Sequence, residues 1–436
     1  MSLLFEYGKW EPVLKKDELK DFLRTIWQQR SREELAEDEH NEVIDNKYQP
    51  FLQFDDNTIR ANNYIGFIQH ENELIEIYPK VFKGLESPSK NLMLNHIFYW
   101  FSYCRKWRFP FNQANLDNRD IETFPELIIF LIANQVSETI STHPFMQYQA
   151  LEDRVTTPRG SINFNRYINR SLVTGNYHQI EVDHEPFLYD NKVNRVIKYC
   201  ARLLLNQTRF AENQRLLQEI IFILDEVEDT PVTIHDANSV KLNPFFDDYT
   251  LIMEMCKTIL NQQIYSHNTY DFSQWCLLFP MEYIFEDFVA GFLETYFSDQ
   301  WKVEYQKSNA YLSTNPQAFQ MQHDIFLTDR TTGRKIIVDT KYKLRDFDPS
   351  DKKRGVSQAD LYQVVSYAYR RGCTEVMLVY PNVSEEIREP VQFEVPSGFP
   401  GSEVIKVTVL EIPFWSMDDF EGLTNNLKSY MKTIIQ

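Results

Sequence analysis

Residues 334–344, RKIIVDTKYKL, run a β-branched stretch, Ile336-Ile337-Val338, straight into Asp339-Thr340-Lys341. Such a stretch suits a strand covered on both faces. Residues i and i+2 of a strand share a face, so Asp339 and Lys341 point one way while Val338 and Thr340 point the other. Charges at the end of a buried strand are costly unless they are paired or used. Upstream, residues 322–328, QHDIFLT, form a second strand, and Asp329-Arg330-Thr331-Thr332-Gly333 joins the two as a hairpin. That hairpin brings Asp324 to the strand end beside Asp339 and Lys341. His323 falls on the opposite face and reads as structural.

The surroundings read as α-β-β-β-α-β from about residue 275. Helix 280–297 (PMEYIFEDFVAGFLETYF) precedes strand 301–306 and the hairpin. Helix 357–371 (SQADLYQVVSYAYRR) and strand 375–381 (EVMLVYP) follow, with a further strand at 404–412. Glu286 lies on the first helix. Gln363 and Tyr367, four apart on the second, share a helical face.

This set suits phosphodiester hydrolysis. Two carboxylates can hold Mg²⁺, with Mn²⁺ as an alternative, since hard cations of this kind prefer oxygen ligands. The cation neutralises the scissile phosphate and acidifies a water, while a lysine orients that water or offsets transition-state charge. Asp324, Asp339 and Thr340 are the expected metal contacts. Lys341 is the expected catalytic lysine, with Glu286, Gln363 and Tyr367 in support. Three other D-x-K triplets, at Asp45, Asp190 and Asp351, lack this context and read as polar surface.

The rest of the chain narrows the field. With 436 residues, 43% hydrophobic and 14% aromatic, it is globular and long enough for two or three domains. Its 12 glycines argue against glycine-rich cofactor loops. No apolar run approaches the roughly 20 residues of a membrane span. Glu6 and Lys9 interrupt the N-terminus too early for a signal peptide. The five cysteines show no zinc or disulfide spacing, consistent with a reducing cytoplasm. A net charge of -18 opposes binding to a polyanion, yet residues 330–371 hold 11 Lys/Arg against 5 Asp. A partner supplying most of the nucleic-acid affinity would reconcile the two.

Three segments are expected. Residues 1–83 read as β-rich around one amphipathic helix carrying Leu19, Phe22, Leu23 and Ile26, with turns at Asp55-Asp56-Asn57 and Glu71-Asn72. The acidic run 33–42 reads as a solvated helix end, and GLESPSK (84–90) as a linker. Residues 91–260 are mostly helical, interrupted by a turn at Pro158-Arg159-Gly160 before a short strand. Residues 275–436 complete the set.

Asp324, Asp339-Thr340-Lys341 and Gln363-x-x-x-Tyr367 together resemble the PD-(D/E)xK nuclease core in its Q-x-x-x-Y branch. Residues 62–81, 152–164, 189–204, 281–289 and 376–381 extend the likeness to the McrC family, the nuclease subunits of McrBC modification-dependent restriction systems. His323 stands where the motif's name has proline, and segments 33–42 and 384–402 fall outside the family pattern. The resemblance implies a multidomain α/β protein ending in a restriction-endonuclease-like domain. It also implies a Mg²⁺-dependent DNA endonuclease that binds and stimulates a GTP-hydrolysing AAA+ partner resembling McrB, whose own domain reads modified double-stranded DNA. Residues 1–83 would form the partner-docking domain, removable without unfolding the nuclease. The chain has no G-x-x-x-x-G-K-[ST], so nucleotide binding is left to the partner. The competing readings are a catalytically inactive adaptor that stimulates a motor NTPase, and a nuclease directed at RNA.

Overall fold

The computed structural model describes residues 2–37, 49–70, 73–85, 88–105, 121, 123–263, 274–305, 310–321, 323–345, 348, 350–396, 404–417 and 419–435. Asp45, the Glu71-Asn72 turn, linker residues 86–87, residues 397–402 and residues 38–42 of the acidic run lie outside them. The chain divides into two compact units, Met1–Phe124 with Ser273–Gln436, and Pro125–Phe272.

The three-segment division gives way because the first unit is built from both ends of the chain. Its four-stranded sheet runs Ser2–Phe5, Glu73–Tyr78, Tyr64–His70, Gln274–Pro280. Strand Gln274–Pro280 pairs antiparallel with Tyr64–His70 along its whole length. Gly66 permits that approach: with φ at +129°, a Cβ there would stand 2.0 Å from the Leu277 carbonyl oxygen. Residues 1–83 are therefore not a detachable module. Helix Lys90–Tyr103, expected in the helical middle, also belongs here and packs on helix Met281–Phe297. Gly291 allows the contact, since a Cβ at that position would lie 1.9 Å from the Tyr103 carbonyl oxygen. Trp100 stacks on Phe414 at 4.0 Å and donates its indole N–H to the Phe414 carbonyl at 2.8 Å.

The same unit holds a six-stranded mixed sheet in the order Trp301–Tyr305, Ile325–Asp329, Lys335–Thr340, Glu375–Pro381, Ile405–Ile412, Val391–Val395. Lys335–Thr340 is internal, antiparallel to its hairpin partner and parallel to Glu375–Pro381. Ile336, Ile337 and Val338 are fully buried, as the unbroken apolar run requires. The hairpin turn is as expected: Gly333 takes φ +72°, and Asp329 accepts from the Thr331 and Thr332 amides. Helix Gln358–Arg371 starts at a Ser357 cap, ends at left-handed Gly372, and buries Val364 and Ala368 on the sheet. Elements not expected from the sequence are strand Gln274–Pro280, a hairpin of Ala310–Thr314 and Gln317–Met321, the edge strand Val391–Val395 within the unplaced segment 384–402, and the C-terminal helix Phe420–Ile435.

The second unit carries helices Lys192–Gln207, Ala211–Ile223 and Asp247–Gln263 and a three-stranded sheet. Its Pro158-Arg159-Gly160 turn leads into strand Ser161–Ile162 as read from the sequence.

Deleting residues 1–83 removes three of the four strands in the sheet that holds Gln274–Pro280, exposing buried Phe279 and Trp275. The truncated chain is expected to lose cooperative unfolding of the first unit in circular-dichroism melts. A melt within about 5 °C of the full chain, the shift that only a few kcal/mol would cause, would show that the sheet is dispensable.

Candidate active site

Hairpin register assembles the site. Ile325 stands opposite Val338, so one further step carries Asp324 toward Asp339. The ladder between the two strands ends there. The Thr340 amide and hydroxyl turn instead to the Asp324 Oδ2, at 2.7 and 2.8 Å. Thr340 thus orients a carboxylate, and its hydroxyl is engaged in doing so. Lys341 Nζ lies 2.7 Å from Asp339 Oδ2 and donates to Gln363 Oε1 at 3.2 Å. Gln363 Nε2 donates to the Tyr367 hydroxyl at 2.8 Å. Asp324, Asp339, Thr340, Lys341, Gln363 and Tyr367 are therefore brought together.

The electrostatics are unbalanced. Asp339 is fully buried, and the Lys341 ammonium, 2.7 Å from its Oδ2, is the cation that faces it. Burial, then the Asp324 charge, raise its pKa to about 7, against the pull of Lys341. Burial likewise raises Asp324, opposed by the Thr340 hydrogen bonds. Burial would lower Lys341, but Asp339 and Asp324 outweigh it and the ammonium is held above its ordinary range. All three shifts run in one sense: the site retains protons because burial disfavours the charged carboxylates and two of them, Asp339 buried and Asp324 half-buried, face one ammonium. It is short of positive charge, and a divalent cation fits that deficit.

Glu286 is buried on helix Met281–Phe297; with Asp287 and Asp324 it raises the pKa of Tyr305, whose principal cause is burial. It does not complete a ligand cluster: among the described residues no three His, Cys, Asp or Glu side chains gather as metal ligands. His323 is buried against Phe326, with burial lowering its pKa to about 4, as a structural residue should be. Sequence reasoning missed a second pair beside the site. Lys343 Nζ reaches both oxygens of buried Asp360 at 3.0 Å, and Asp360 adds to the negative potential at Asp339. Its signal was present: Lys343 continues the i, i+2 series from Asp339 and Lys341.

Elsewhere, a cavity of about 560 Å³ in the second unit is lined by Arg195, Lys198 and Arg202. Those cations are paired with Asp190, Glu228 and Asp229, so the space carries no comparable deficit.

Comparison with known families decides the affiliation. The family model for the McrBC 5-methylcytosine restriction system component matches residues 59–381, which include every residue of the site. The chain belongs to that family. A chain in the refined half-complex from the tetradecameric assembly of Thermococcus gammatolerans McrB AAA+ hexamers with bound McrC shares the fold. That match has a TM-score of 0.69 at 16% identity over 99% of both chains. A chain of the Thermococcus gammatolerans McrBC complex, solved by cryo-electron microscopy, matches at a TM-score of 0.52 and 18% identity, over 67% of this chain and 86% of that one. No curated protein matches the sequence. The McrBC affiliation read from the motifs therefore stands, with a mixed α/β architecture throughout.

A raised carboxylate pKa has a definite sign for stability. Asp339 binds its proton more tightly folded than unfolded, so its contribution is full below about pH 4 and is lost as pH rises through about 7. In chelator-treated protein, the melting temperature of Asp339→Asn minus that of the parent chain should therefore increase from pH 5 to pH 8. Adding Mn²⁺ at pH 8 should raise the parent's melting temperature and leave the variant's unchanged. A constant difference across this range would mean that Asp339 is charged at no cost.

Proposed function

We propose that this McrBC-family chain is a metal-dependent DNA endonuclease subunit of a modification-dependent restriction system, acting with an AAA+ GTPase and stimulating it. The observation that carries the reading is the charge deficit at Asp324, Asp339 and Lys341, on a site of PD-(D/E)xK type. Asp324 and Asp339 would hold Mg²⁺ or Mn²⁺. Such a cation supplies charge neutralisation at the scissile phosphate and lowers the pKa of an adjacent water. Thr340 sets the Asp324 carboxylate. The Lys341 ammonium, steadied between Asp339 and Gln363, orients the attacking water and offsets charge growing on the phosphate. Tyr367 holds Gln363 in turn, and Glu286, on the neighbouring helix, acts together with Asp324 on the Tyr305 hydroxyl.

Hydrolysis of this kind does not select the sugar; the family's 5-methylcytosine description favours DNA. The net charge of -18 and the missing phosphate-binding loop leave GTP hydrolysis and most DNA affinity to a partner. The fold shared with a chain from an assembly of McrB AAA+ hexamers with bound McrC supports a partner of that type. Within residues 1–83, the exposed Asp55-Asp56-Asn57 turn offers it a polar tip. The five cysteines are free and buried, and among the described residues no helix is long and apolar enough to cross a membrane, both compatible with a cytoplasmic site of action.

The test is cleavage of methylcytosine-containing duplex with and without the AAA+ GTPase, GTP and Mg²⁺. Asp324→Ala, Asp339→Ala and Lys341→Ala should each lower single-turnover cleavage by about 10³-fold or more. Asp351→Ala, in a D-x-K copy whose carboxylate caps a turn, should not remove the chemistry. Wild-type rates in any of the three site variants would remove the site. A chain that stimulates GTP hydrolysis yet never cuts would instead be an adaptor. Alone, the chain should bind unmodified duplex more weakly than about 1 μM at roughly 0.15 M salt.

A further inference from the structure

The peptide after Lys341 is gripped by the other end of the chain. Lys341 N donates to the Val379 carbonyl at 2.8 Å, fixing the lysine's own backbone. Tyr342 comes next and is buried, its ring near Phe285 and Phe414. Its hydroxyl donates to Glu6 Oε2 at 2.8 Å, and its carbonyl accepts from Lys80 Nζ at 2.9 Å. Lys80 closes the ring: its backbone N–H donates to the same Glu6 oxygen at 2.9 Å, and its ammonium sits 4.2 Å from the Tyr342 ring centre. Glu6 is fully buried, tied to Tyr78 through its own amide, and its Oε1 has no hydrogen-bond partner. An apolar residue would anchor that strand end without the cost of burying a carboxyl group. The carboxylate does something an apolar residue cannot: it ties residues 6, 80 and 342 into one unit.

We propose that Glu6, Lys80 and Tyr342 are positioning residues for Lys341, clamping the peptide that follows it so that the first strand of the chain supports the active site. The proposal rests on the nuclease reading for its chemistry, but not for its geometry. Lys341 carries its ammonium on a flexible four-carbon stem, so the placement of its backbone limits where Nζ can act. A misplacement near 1 Å at a reacting centre can cost on the order of 10²-fold in rate.

The experiment uses the full-length chain with the AAA+ GTPase, GTP, methylcytosine duplex and Mn²⁺. Tyr342→Phe removes one hydroxyl and keeps the packing; Glu6→Ala removes the acceptor; Glu6→Gln keeps an acceptor oxygen. Single-turnover cleavage at saturating protein should fall about 10- to 100-fold in Tyr342→Phe and Glu6→Ala, and stay within about threefold in Glu6→Gln. Half-saturating protein concentration, Mn²⁺ affinity by calorimetry and melting temperature should change little in Tyr342→Phe and Glu6→Gln. A wild-type rate in Tyr342→Phe overturns the proposal. So does a loss matched by equal loss of DNA or Mn²⁺ affinity, or a Glu6→Gln no better than Glu6→Ala. If the unmodified chain never cuts, the nuclease reading fails alone, and the clamp is decided by acylation of Lys341 followed by mass spectrometry. Its reaction with an amine reagent should then be about tenfold faster in Tyr342→Phe than in the parent chain, as expected on loss of an ordering hydrogen bond. Equal rates overturn the clamp.

Discussion

A buried carboxylate beside a second carboxylate is hard to keep in a folded protein, and Asp339 is kept at the end of the strand that organises the first unit. Removing such a group from water costs several kcal/mol unless charge of the opposite sign lies close. Lys341 meets part of that requirement at 2.7 Å, and Asp324 works against it. The surrounding architecture can be understood as what holds this arrangement in place. The parallel neighbour fixes the Lys341 backbone, the hairpin partner delivers Asp324, and the helix carrying Gln363 and Tyr367 closes over the amine. Each contact alone is ordinary. Together they leave a polar cluster with one ammonium for two carboxylates, a state that a folded chain keeps for chemistry more readily than for stability.

Much of this was legible because strands and helices repeat with fixed periods. A period of two places Asp339 and Lys341 on one face, and a four-residue step pairs Gln363 with Tyr367. The hairpin's glycine and turn length locate Asp324 before any coordinates exist. Thr340 shows where the period stops being informative: it is the last strand residue, so its amide, past the end of the ladder, takes a side chain instead. Glu286 shows a different limit. A helical position fixes a direction but not a distance, and this carboxylate does not join a ligand cluster.

Long-range pairing was not legible at all. Nothing local in residues 64–70 announces that their partner lies some two hundred residues on, at 274–280. A polar linker at 84–90 looks like a boundary because composition marks flexible chain, whereas a boundary depends on which surfaces are buried together. The same limitation hid Glu6, Lys80 and Tyr342: the hydrogen bonds that Tyr342 makes to the other two span more than two hundred and fifty positions. Lys343 and Asp360 were hidden for a milder reason: an acidic residue in a helix's first turn is usually explained by the helix itself.

Phe67 touches Phe124 at 5.9 Å and Trp275 at 4.6 Å, so the chain leaves the first unit and re-enters it at the same aromatic residue. Everything between these two points is, topologically, an excursion. A ribosome releases the excursion complete before strand Gln274–Pro280 exists, so the second unit can fold while the first waits with an unpaired edge at Tyr64–His70. Residues 324–341 and the helix bearing Gln363 emerge later still. During synthesis, then, the partly made chain carries its N-terminal clamp residues with nothing to clamp, and acquires a complete set of site residues only when Tyr367 has been added.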